Sequence, residues 1–96
     1  MEHSTYYLDI QMYCQDKYIN IATFDLNSCA KIVDELFNEL QGENQVVGNR
    51  LLRINLMLNK AGNTAIVWRS INCTLDELAE NSKIIIKKTF RTVNFD

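Results

Sequence analysis

Leu8-Asp9-Ile10-Gln11-Met12-Tyr13-Cys14 and Leu52-Arg53-Ile54-Asn55-Leu56-Met57-Leu58 are the stretches whose reading decides the fold. In both, the even positions are apolar, the alternation of a strand that buries one face. They begin 44 residues apart, and the chain continues in the same way after each. A short polar stretch turns the chain, a second strand comes next, and a helix is entered after Leu26-Asn27 or Ile71-Asn72. Beyond the first strand the offset becomes 45, so one residue is absorbed in the hairpin turn. Few paired positions are identical (Leu8 with Leu52, Ile10 with Ile54, Ile21 with Ile66, Asn27 with Asn72). What repeats is the pattern, apolar period two and then apolar period 3.6. The expectation is a single domain over residues 1–96 with an internal pseudo-repeat, 6–42 and 50–93. Its class is α+β, a two-layer ββαββα arrangement whose four-stranded, mainly antiparallel sheet carries two helices on one face.

Working outward, the first strand is expected over 6–15 and turns at Gln15-Asp16-Lys17. The second, 18–25, is mixed, with Ile19 and Ile21 on one side and Tyr18, Ala22 and Phe24 on the other. Asn27 or Ser28 reads as an N-cap. Ala30, Val33, Leu36, Phe37 and Leu40 come next at helical spacing, and Gly42 reads as the stop. A third strand is expected over 46–59 and a β-branched fourth over 64–71, joined by the turn Asn59-Lys60-Ala61-Gly62-Asn63. Thr74-Leu75-Asp76-Glu77 fits a capping box, with its acids where the helix dipole favours them.

The tail has two readings. As one long helix, Leu75, Leu78, Ser82, Ile85, Ile86, Phe90 and Val93 share a stripe while Lys83, Lys87 and Arg91 share another. As a short helix and then a fifth strand, the run Ile84-Ile85-Ile86 would occupy both strand faces. The long helix is the favoured reading.

Composition narrows the function classes. The chain is 47% hydrophobic and 23% charged, a globular balance without proline or low-complexity runs. No apolar run approaches the roughly 20 residues of a membrane span, and the start lacks a basic region leading into an apolar segment. No membrane association and a cytoplasmic address are expected. Cys14, Cys29 and Cys73 are an odd number at wide spacing, which does not read as a disulfide framework. The net charge of -2 divides unequally, -6 over residues 1–48 and +4 over residues 49–96. Opposed charge favours docking one half on the other, within a chain or between two chains.

Catalytic chemistry has little to stand on. His3 is the sole histidine and sits at the N-terminus, without a partner for acid–base work. Cys29 and Cys73 fall where helices are expected to begin, a setting that can favour a thiolate. No C-x-x-C motif accompanies them, and small apolar sites often hold cysteine. No ligand pairs stand at zinc spacing, and three scattered glycines build no phosphate loop. No catalytic residue, metal or cofactor is expected.

The sequence points instead to binding. If the even positions of the first and third strands face the helices, then Tyr7, Tyr13, Leu51, Met57 and Trp68 (or Val67) look outward. An open sheet face is ordinarily polar, so an apolar one implies something that covers it. These residues are the candidate partner-binding surface of a non-enzymatic protein-interaction module, self-associating as a homodimer or binding another protein. The alternative is nucleic-acid binding through the basic second half, with Lys83, Lys87, Lys88 and Arg91 as a stripe. The acidic balance of the whole chain makes nucleic acid the lesser expectation.

Overall fold

The computed structural model describes residues 4–26, 29–44, 51–60 and 64–94, and beyond Thr89 the backbone alone. The elements are β1 (Ser4–Cys14), β2 (Lys17–Leu26), α1 (Ala30–Glu39), β3 (Leu52–Lys60), β4 (Ala65–Cys73) and α2 (Leu75–Asn94). The strands lie in the order β2-β1-β3-β4, and every pairing is antiparallel. The α+β class and the ββαββα order read from the sequence are those observed. The expected cap at Asn27 or Ser28, the segment 46–50 of the third strand and residues 61–63 of its turn lie outside the described residues.

The two diagnostic stretches are the two central strands. Leu8 opposes Leu56 and Ile10 opposes Ile54, so their apolar faces meet in one patch. All four side chains are at most 2% exposed. Val33, Leu36 and Phe37 of α1 and Ile85 of α2 close over them. Each such side chain removed from water contributes about 1.5–3 kcal/mol. Helix cover ends toward the hairpin tips, where Met12 is 38% exposed although it shares the inner face.

Each hairpin carries one bulge in its second strand. Ile10 opposes Ala22 and Gln11 opposes Asn20, leaving Ile21 as the extra residue; Trp68 is extra in β4. The bulge in β2 explains its mixed pattern, because it puts Ile19 and Ala22, three apart, on the same face. The first hairpin closes through two residues, Gln15 and Asp16, with φ of 52° and 68°. That left-handed pair gives the turn whose twist matches the strands it joins.

α2 is one helix of 20 residues, so the fifth-strand alternative does not occur. It opens with the expected capping box: Glu77 N–H donates to Thr74 Oγ1 (3.1 Å) and Thr74 N–H to Glu77 Oε1 (2.8 Å). Its buried stripe is not quite the one expected. Leu78, Asn81 and Ile85 turn inward, whereas Leu75 is 73% exposed and Ile86 is also in solvent. Asn81 fixes this rotation. Its amide accepts from Gln41 N–H (2.7 Å) and donates to Gln41 O (2.9 Å), clasping the chain that leaves α1.

The same segment corrects the reading of Gly42. α1 ends at Leu40 in ordinary extended backbone, not at a left-handed glycine. Gly42 is instead a point of close approach, where an added Cβ would lie 2.7 Å from Asn72 O. The absence of a side chain lets Glu43 pair with Asn72 through two backbone hydrogen bonds of 2.8 and 2.7 Å.

Candidate functional site

With both helices on one side, the odd positions of β1 and β3 line the other. Tyr7, Met57 and Val67 form one end of this open face, each opposite the next across neighbouring strands. Tyr13 and Leu51 lie at the other end, joined by a backbone bond from Tyr13 N–H to Leu51 O of 2.8 Å. Tyr18 stands edge-on to Tyr13, ring centroids 5.2 Å apart.

Between these ends the face is polar. Gln11 Oε1 accepts from Arg53 Nε and from Asn55 Nδ2, both at 3.1 Å. Asn55 Oδ1 in turn accepts from Ser70 Oγ at 2.7 Å. On the β2 side, Asn20 Nδ2 donates to Asp9 Oδ1, Thr23 Oγ1 and Ala22 O. The Arg53 guanidinium carbon lies 3.6 Å above the Tyr18 ring, a cation–π contact joining the polar chain to the aromatic end. Asn55 is only 6% exposed, enclosed by its neighbours on the face. Networks of this kind fix each rotamer through the next.

The apolar positions of the open face are thus divided into two groups. The face is apolar at two ends and hydrogen-bonded across the middle. Tyr7, Tyr13, Leu51 and Met57 belong to it. Trp68 does not. The bulge turns it out of the alternation, and its ring packs 5.5 Å from that of Tyr6 on the helix-bearing side. Val67 takes the outward position that the sequence left open between the two.

The basic stripe is also broken up. Lys88 leaves the solvent side of α2 to meet Glu39 of α1 at 2.8 Å, and Lys83 pairs with Glu80 at 3.3 Å. Lys87 is exposed, and the Arg91 side chain lies outside the described residues. Arg69, on the inner face, reaches α1 through Asp34 and Asn38 at 2.8 and 2.7 Å while lying 4.7 Å over the Phe37 ring. Among the described residues of the four strands, the open face carries the acids Asp9 and Asp25 and the single base Arg53.

The thiols divide by burial. Cys29 caps α1 in the open, without a side-chain cap bond, and Cys73 is wholly buried at the end of β4 rather than in a helix turn. Among the described residues no group of histidine, cysteine and carboxylate side chains could hold a metal ion, and no helix is long and apolar enough to cross a membrane. Sequence reasoning missed the Gln11–Arg53–Asn55–Ser70 chain and the Asn81 clasp. Polar residues on alternate strand positions signal a wet face, and nothing in their spacing distinguishes a bonded set from a solvated one.

Compared with family models, curated proteins and solved structures, the chain matches none.

Proposed function

We propose that this chain is a non-enzymatic protein-interaction module of the cytoplasm that forms a homodimer and offers the open face of its sheet to a protein partner. One observation carries the reading: a face that no second layer covers among the described residues is nonetheless joined by side-chain hydrogen bonds, with aromatic and aliphatic side chains at both ends. Tyrosine and arginine are enriched where proteins bind one another, because they bring large contact area for few rotatable bonds. Fixing them beforehand lowers the entropic cost of association. Arg53, held by Gln11 and stacked on Tyr18, is such a residue. The slab measures 42 × 32 × 19 Å, so its broad side can supply the roughly 800 Å² per partner of a standard interface.

Nucleic-acid binding is the second reading, favoured only by the Arg53–Tyr18 stack, a pair that could also hold a base. The charge of the face argues against it: among the described strand residues Asp9 and Asp25 outnumber the one arginine there, and phosphate contacts need an excess of bases. Affinity capture from cells of the source organism tests the proposal. A protein retained by the parent chain should be lost with Val67→Arg, on the open face, and kept with Ile86→Arg, on the outside of α2. Salt-sensitive retention on a polyanion column, lost on removing Arg53, would support the second reading instead.

A further inference from the structure

We infer that two copies of this chain join through β2, edge to edge about a two-fold axis, turning two four-stranded sheets into one of eight. This rests on the self-association proposed above and names the surface that makes it. β2 is ten residues long and stands at the edge of the sheet, with nothing paired beyond it among the described residues. Edge strands of this kind are templates for another strand. The opposite edge differs, since Glu43 already pairs with Asn72 there.

The register sets the direction of the free backbone groups. Tyr13 N–H donates to Leu51 O, so the odd residues of β1 spend their backbone bonds on β3. The β2 residues opposite Tyr13, Gln11, Asp9 and Tyr7 are Tyr18, Asn20, Thr23 and Asp25. These four point their N–H and C=O groups away from the sheet. The bulge at Ile21 spaces them as two plus two about a centre between Ile21 and Ala22. An antiparallel second copy therefore places Tyr18 opposite its Asp25 and Asn20 opposite its Thr23, so that each outward pair can exchange two bonds. The bulge thereby selects the centre between Ile21 and Ala22, since outward residues change parity across it.

Side chains agree with the alignment. Met12, Ile19 and Ile21 are 38–42% exposed along this edge. In the dimer Ile21 lies against its own counterpart at the axis, and Ile19 faces Phe24 of the second copy. The axis is normal to the sheet, so all four helices fall on one side. The two open faces then lie side by side on the other, as one platform with two copies of the docking surface.

Amide hydrogen exchange by NMR, read with light scattering, tests this. The parent chain should have twice the mass of the 11.2 kDa monomer, with the amides of Tyr18, Asn20, Thr23 and Asp25 protected. Thr23→Pro removes one outward N–H, a change an edge strand tolerates. Ile21→Lys places a charge at the axis. Each should give a monomer with unchanged circular dichroism and rapid exchange at the remaining outward amides, while Val67→Arg leaves the dimer intact. A parent chain of 11.2 kDa at high micromolar concentration would overturn self-association and this interface together. A dimer whose four outward amides exchange freely, or one broken by Val67→Arg and not by Ile21→Lys, would overturn the edge alone.

Discussion

The two faces of this sheet are held in different ways. The inner face is sealed by shape: Leu8, Ile10, Ile54 and Leu56 close under α1 and α2 with almost no exposure. The outer face has no layer above it among the described residues and is joined by side-chain bonds, Ser70 to Asn55 to Gln11 and Arg53 to Gln11. The inner face can lose little without collapse of the fold, because a cavity in a packed core is not filled by relaxation. The outer face should lose order without losing the fold. Stability and surface order are thus assigned to opposite sides of the same two central strands.

The contrast between the faces is sharpest in the core. Ile85→Ala should cost about 2–5 kcal/mol in denaturant melts, the range for emptying a buried aliphatic site. Lys87→Ala, two residues on and in solvent, should cost less than about 0.5 kcal/mol. Equal tolerance at both would contradict the rotation of α2 set by Asn81. Asn81→Ala comes next, at about 1–3 kcal/mol, because it leaves Gln41 N–H and C=O without their partners. On the open face, Ser70→Ala should cost only about 1 kcal/mol, the net worth of one hydrogen bond. Its signature should be faster side-chain motion at Asn55, Gln11 and Arg53 by NMR relaxation. Smallest is the turn: Gln15→Asn should raise stability by a few tenths of a kcal/mol, since asparagine accepts the left-handed φ of 52° more readily.

The sequence carried the element order, because period two and period 3.6 are written plainly in β1, β3 and α1. It carried the capping box at Thr74 and Glu77 for the same local reason. It misread positions whose role depends on something far along the chain. Gly42 looks like a helix stop, yet it exists for the approach to Asn72 thirty residues later. Leu75 and Ile86 fit an apolar stripe, but the Asn81 clasp turns them outward. Trp68 was assigned by alternation, which a bulge resets without any glycine to announce it. Of the candidate surface, Tyr7, Tyr13, Leu51 and Met57 could be read from strand parity alone. The bonds that organise the space between them could not, because hydrogen-bond partners are chosen by register between strands and not by spacing within one.

The proposal that the open face serves binding and not folding is tested most directly by Met57→Lys. Met57 lies half-buried between Tyr7 and Val67 on that face, on the side of the sheet away from the inner core. Thermal melting and partner capture are measured on the same sample. A melting temperature within a few degrees of the parent is expected, with loss of the protein that the parent retains. A variant that unfolds, or one that melts like the parent and still captures the same protein, would contradict it.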